Sequence, residues 1–307
     1  MTKRPIQDVA RSVHQKLLNL ARQTDRRFNE LVQYYADERW LYRLSQSSYG
    51  DRFVLKGALM LLVWNAPVMR PTRDIDLLGR INNDLESIRS VIAIVCQTLV
   101  EDDGLVFVAN SVTTELIAED ADYEGVRARF RGFPGNTRIA MQIDIGFSDV
   151  ITPGPVEISY PTLLGQPSAR LIAYNRETAV AEKLEAMVKL AELNSRMKDF
   201  FDVSLLAKGF EFDGHLLAEA VRNTFERRRT QLAPEPICFT DGFATDSSKQ
   251  AQWNAFVRRS HLADAPTEFS TVVEQVRDFL QPLVSILAKE GRFDMRWPPG
   301  GPWRPRS

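Results

Sequence analysis

Cysteine is scarce in this sequence: Cys96 and Cys238 are far apart and have no metal-ligand spacing. Such a pair excludes a disulfide scaffold and fits a reducing compartment. Long apolar runs are missing too. LMLLVW stops at Asn65 and Pro67, far short of the roughly 18 residues that cross a bilayer. The opening residues, MTKRPIQDVARSVHQ, lack the apolar centre of a secretion signal. These absences predict a cytoplasmic protein that makes no membrane contact. Charge of one sign is also lacking. With 39 basic and 40 acidic residues the net charge is −1, so a nucleic-acid partner needs a local basic patch. There is no internal repeat and no helix-turn-helix with a basic recognition helix, which argues against a DNA-binding regulator. What is present is globular: 307 residues, 44% hydrophobic and 26% charged, enough for one large or two ordinary domains.

The stretch Lys56–Leu78 concentrates the chemistry. FVLKGALMLLVW reads as a short strand, a turn at Gly57 and an apolar helix, and the stretch ends in Asp-Ile-Asp. In a strand, side chains alternate faces, so Asp74 and Asp76 share one face while Ile75 and Leu77 enter a core. Two close carboxylates are most easily kept together by a cation between them. Backbone N–H groups at the turn can receive a phosphate. Together these features suggest phosphoryl or nucleotidyl transfer. A lone Asp-x-Asp also occurs by chance on surface strands.

Around this stretch, two helices are expected between Ile6 and Ser47, broken at Asp25-Arg26-Arg27 and packed on the main lobe as an accessory layer. Asn83-Asp84-Leu85-Glu86 has the shape of a capping box before an amphipathic helix carrying Leu85, Ile88, Val91, Ile92, Val95 and Leu99. LVFVANS, VRARFRG and RIAMQIDIGF read as strands, with Thr113–Ala118 a fourth. The Arg127–Arg131 run gives its strand one basic face, read as ordinary solvation in preference to direct substrate contact. In RIAMQIDIGF, Asp144 is either a third carboxylate beside the first pair or the start of the following turn. PVEISYPTLLG is the last strand. Beyond it, residues 177–193, 196–208, 215–227, 249–259 and 269–289 read as helices, and the tail WPPGGPWRPRS as extended or loosely packed.

Within the helical part, Asp199 and Asp202 lie one turn apart, and Lys198–Asp202 has i,i+4 spacing. The composition favours solvated helices laced with surface ion pairs, each worth a few tenths of a kcal/mol. The sharper alternative makes Lys183 a triphosphate ligand and Asp199 or Asp202 a polar anchor.

Taken in order, KG, DID, MQIDIGF, ETAVAEKLEAMVKL, NSRMKDFFDV and DSSKQAQWNAFVRR resemble the nucleotidyltransferase toxins of the AbiEii/AbiGii type, the toxin half of bacterial abortive-infection toxin–antitoxin pairs. The likeness runs from about Phe53 to about Arg259. It implies an α+β fold: a polymerase-β-like nucleotidyltransferase lobe, a mixed sheet with flanking helices, over residues 1–165 including the N-terminal helical hairpin. A helical C-terminal lobe over 166–307 completes it. By the same likeness Lys56, Gly57 and Ala58 form the nucleotide-binding turn, with Ala58 standing where relatives often carry a second small Gly or Ser. Asp74, Asp76 and Asp144 become metal ligands for Mg²⁺ or Mn²⁺, and Asp144, resembling the third strand acid, also helps activate the attacking hydroxyl. Lys183 contacts the phosphates of the NTP substrate, and Asp199 or Asp202 is the acid of a later motif. The implied activity is transfer of NMP to RNA, the tRNA 3′ acceptor end first, which blocks translation. Arg70, Arg73, Arg196, Lys198 and Arg228 are candidate RNA contacts. A cognate antitoxin, a winged-helix transcriptional regulator, is the implied protein partner. The competing expectations are a non-catalytic member of the same fold and a nucleotidyltransferase acting on protein or a small molecule.

Overall fold

A computed structural model describes residues 6–24, 26–66, 70–120 and 123–306. Asp25 and Pro67–Met69, which the sequence placed at a helix break and within the Lys56–Leu78 stretch, lie outside them, as does Ser307 of the tail. The chain divides into two units. The first takes in residues up to Trp64, Pro71–Ser148 and Val156–Ala173; the second takes in Asn65, Ala66 and Arg70, Asp149–Pro155, and the chain from Tyr174.

The first unit opens with α1 (Ile6–Thr24) and α2 (Phe28–Gln46). The hairpin is more than an accessory layer. Leu31, Tyr35, Trp40, Leu41 and Leu44 of α2 sit in the same hydrophobic core as the sheet. The burial of α2 extends to charged groups. Arg43 makes a bidentate pair with Asp103 at 2.7 and 2.9 Å and donates a third bond to the Leu105 carbonyl at 3.0 Å. A buried guanidinium satisfied on three sides fixes the helix where an unpaired one could not remain.

After α2 come β1 (Phe53–Lys56), a 3₁₀ turn at Gly57–Leu59 and α3 (Met60–Val63), a single helical turn where a longer apolar helix was expected. β2 (Ile75–Gly79) and α4 (Leu85–Gln97) follow. The expected capping box is a single cap: the Asp84 carboxylate accepts from Ser87 N–H at 2.8 Å, while Glu86 turns to Arg89. Leu99 falls beyond α4 and is exposed, so it does not extend the helix's apolar face.

The remaining strands are β3 (Leu105–Asp120), β4 (Tyr123–Pro134), β5 (Ile139–Gly146), β6 (Val156–Ser159) and β7 (Arg170–Ala173). Thr113–Ala118 is no separate strand. It continues β3 past an irregularity between Val108 and Thr113 that restores the pairing to β4. The seven strands form one mixed sheet in the order β3-β4-β5-β2-β1-β7-β6. β7 pairs in parallel with β1, through Val54–Ile172 and Leu55–Ala173. The sheet therefore runs on past the expected 165/166 division. The sequence hid β7 because it is only four residues long and follows a turn-rich stretch.

The second unit is mainly helical: α5 (Arg176–Leu190), α6 (Met197–Gly209), β8 (Phe212–Asp213), α7 (Gly214–Arg227), α8 (Asp241–Ala244), α9 (Ser247–Ser260) and α10 (Phe269–Leu287). The tail is packed where a loose one was expected. β9 (Met295–Trp297) and β10 (Arg304–Pro305) join β8 in a three-stranded sheet. Trp303 stacks on Phe279 at 5.7 Å between centroids, and its indole N–H reaches the Phe279 carbonyl at 2.7 Å. Aromatic residues among the prolines and glycines anchor it, satisfying their polar N–H while burying the rings.

Candidate active site: a carboxylate row on the sheet

Strand pairing assembles the site of the first unit. β2 runs parallel to β5 with Asp76 opposite Asp144, and antiparallel to β1 with Lys56 opposite Asp76. β4 sets Arg127 opposite Asp144, and β3 sets Glu115 opposite Arg127. Since the residues of such a cross-strand row share one face, Glu115, Arg127, Asp144, Asp76 and Lys56 form a single charged line across five strands. The opposite face is apolar. Ile75, Leu77, Ile143 and Ile145 are each at most 1% exposed. The alternation in DIDLL and MQIDIGF thus sorts core from chemistry as expected, and Asp144 stands beside Asp76 as a third carboxylate instead of merely starting the following turn.

One carboxylate oxygen from each of Asp74, Asp76 and Asp144 lies within 4.8 Å of the others. Asp74 is steadied by the Thr72 hydroxyl at 2.7 Å and the Arg73 N–H at 3.3 Å. Three hard oxygen donors at this spacing suit Mg²⁺ or Mn²⁺ and not a soft metal. Gly57 supports the fit. Its φ of +73° is left-handed, and a Cβ there would overlap the Asp76 carboxylate. The turn therefore approaches the acids as closely as backbone can. Ala58, next in the turn, is buried, so a methyl suits its surroundings.

Arg127 is the residue the sequence reading missed. Its Nε and Nη2 each lie 2.7 Å from an Asp144 oxygen, a bidentate pair. Gln142 Nε2 adds a weaker contact at 3.3 Å. The basic face of β4 is therefore not plain solvation at Arg127, although Arg129 and Arg131 are exposed. The available signal was the Arg-x-Arg-x-Arg alternation on a strand neighbouring an acid-bearing one. Another group escaped notice on α2. Asp37 is buried, with one oxygen bonded to Gln33 at 2.9 Å and the other without a hydrogen-bond partner among the described residues. Burial, reinforced by the Asp74 charge, pushes its pKa up to about 7.

In the second unit α5 and α6 bring Lys183, Asp199 and Asp202 together. Lys183 Nζ donates to Asp199 at 2.9 Å and to Asp202 at 2.8 Å. Arg70 makes a bidentate pair with Asp202 at 2.8 and 2.9 Å. Arg196 Nε sits 2.7 Å from the second Asp199 oxygen, an ionic contact without hydrogen-bond alignment. Both aspartates are 1% exposed. The reading of surface ion pairs fails here, and Asp202 pairs with Arg70 and Lys183 instead of Lys198. Burial pushes the Asp202 carboxyl up, but the charges of Arg70 and Lys183 outweigh it and hold it well below the usual carboxylate range. Asp199 shifts downward in the same way, burial being outweighed by Lys183 and Arg196. Lys183 ends above its ordinary value because its two carboxylates outweigh desolvation.

Of the expected RNA contacts, Arg73, Arg196 and Lys198 are exposed. Arg70 and Arg228 are turned inward. Arg228 bonds Asp149 and Glu185, each at 2.8 Å. A buried, bidentate or bridging arginine is not available to a surface phosphate without breaking its ion pairs.

Asp76 and Asp144 on neighbouring strands, with Asp74 just before β2 and a left-handed glycine turn beside them, make a carboxylate triad on an α+β sheet that could hold a hard divalent cation. The pattern "Nucleotidyl transferase AbiEii toxin, Type IV TA system" matches residues 39–279, and the chain belongs to this family of toxin–antitoxin nucleotidyltransferases. No curated protein matches at a significant level. Two solved structures are similar. Helicobacter pylori JHP933 shares 12% identity at a TM-score of 0.46, covering 82% of this chain and 89% of its own. A candidate nucleotidyltransferase from H. pylori shares 12% identity at a TM-score of 0.44, covering 87% of this chain and 96% of its own. Among the described residues no helix is long and apolar enough to cross a membrane.

Proposed function

We propose that the protein transfers a nucleoside monophosphate from an NTP to the hydroxyl of an RNA acceptor, with the tRNA 3′ end as first choice. The observation that carries this reading is the placement of Asp74, Asp76 and Asp144 within 4.8 Å of one another, with Gly57 closing on Asp76. A divalent cation held there would supply charge neutralisation at the reacting phosphate. Thr72 and the Arg73 N–H fix the rotamer of Asp74, and strand register fixes Asp76 and Asp144. Geometry set before substrate arrives lowers the reorganisation needed during reaction. The assignment of Lys183 to the nucleotide phosphates is part of the same proposal, and its ammonium is held in place by Asp199 and Asp202. Transfer to tRNA would arrest translation, and a cognate antitoxin would restrain it.

Incubating the full chain with each labelled NTP, total RNA and Mg²⁺ tests this. RNA labelling that EDTA and Asp76→Asn both abolish is the expected result. Label on protein alone would move the acceptor to protein, and no transfer with any NTP would overturn the reading.

A further inference from the structure

The charged row contains an imbalance that the fold corrects with its own side chain. Asp76 and Asp144 face each other directly in the β2–β5 pairing, and like charges in that position are destabilising. Flanking them in the same row are Lys56 on β1 and Arg127 on β4. Arg127 uses its Nε/Nη2 edge on both Asp144 oxygens. Its Nη1 makes no hydrogen bond among the described residues, and the side chain keeps 28% exposure. Asp144 is thus a charge-compensated carboxylate. Glu115, Asp144, Asp76 and Asp74 set four negative charges against the two positive ones of Arg127 and Lys56, so two negative charges remain, which one dication balances.

We infer that Arg127 is a built-in cation occupying the electrostatic place of a second metal ion. The site holds one divalent ion, carried by Asp74 and Asp76. The Arg127–Asp144 pair supplies the other positive charge and leaves Nη1 as a donor for a phosphate oxygen. A guanidinium suits this task because it is always charged and its planar fork matches a carboxylate on one side. A second dication without nucleotide present would leave the cluster strongly positive, which the row disfavours. The inference rests on the reading of Asp74 and Asp76 as the metal-holding pair.

Mn²⁺ titration of the full chain without nucleotide, followed by calorimetry and by the paramagnetic signal of free Mn²⁺, tests it. Wild type should bind one equivalent, and Asp74→Asn should lose it. Arg127→Met should gain a second equivalent or bind roughly tenfold more tightly, because it unmasks Asp144. Arg127→Lys should resemble wild type. The double variant Arg127→Met/Asp144→Asn removes a neutral pair and leaves no orphaned buried charge, so it keeps the fold testable. It should bind one equivalent and, unlike Arg127→Met, gain no second. Two equivalents in wild type, unchanged binding in Arg127→Met, or loss of binding in the double variant would each overturn the role given to Arg127. Absence of any Mn²⁺ binding, or binding indifferent to Asp74→Asn, would instead overturn the metal reading beneath it.

Discussion

Gly57 and Asp76 lie so close that the glycine's missing Cβ is what leaves room for the carboxylate. Gly57→Ala therefore meets two penalties, a left-handed φ and a steric overlap with a flexible acid. Strain of this kind costs about 1–3 kcal/mol. The expected outcome is a lower melting temperature together with loss of nucleotidyl transfer, because Asp76 is displaced from its partners. Thermal unfolding and a labelled-NTP assay on the same preparation check both.

Asp76→Asn separates chemistry from stability. Removing one of two opposed carboxylates relieves repulsion, so the melting temperature should stay level or rise while transfer is lost. A large fall in melting temperature would mean that the role of Asp76 is mainly structural.

Asp202→Asn should behave in the opposite way. It leaves Arg70 and Lys183 facing a neutral amide in a buried setting, a change that costs about 3–5 kcal/mol when a buried pair is broken. Denaturant titration measures it. The pH dependence follows the same pair. The folded pKa values of Asp199 and Asp202 are depressed, so their contribution is present above the ordinary carboxylate value and lost as pH falls through the folded values.

Asp37 and Glu38 act on the other side of neutrality. Burial raises each to about 7, from 3.8 and 4.5. Stability linked to their protonated forms is fully present below those ordinary values and is lost as pH rises through about 7. For Asp37 the full swing is on the order of 4 kcal/mol. Melting temperatures recorded from pH 5 to pH 8 should decline, and Asp37→Asn should flatten the decline. A profile unaltered by that substitution would count against a protonated Asp37.

Trp303 offers a test far from the acids. Truncating a packed Trp typically costs about 3–5 kcal/mol, and Trp303→Ala should approach the lower figure because the ring is only partly buried. A denaturation midpoint unchanged from wild type would contradict an anchored tail.

The periodic elements were legible from sequence because their signals are local. Alternation in DIDLL and MQIDIGF named the core and site faces, and 3.6-residue spacing named α4 to α7, α9 and α10. Local pattern misled where a residue's surroundings are supplied by distant chain. Arg127 reads as solvated until β4 is laid against β5, and Asp199 and Asp202 read as surface acids until α5 and Arg70 cover them. Cysteine scarcity, the absence of long apolar runs and the Asp-x-Asp alternation were settled by sequence itself, since composition and strand periodicity need no fold to express them. Only the tertiary structure decided that Asp144 stands opposite Asp76 with Arg127 upon it. Register between strands far apart in the chain is set by the packing of a shared core, and no local pattern encodes it.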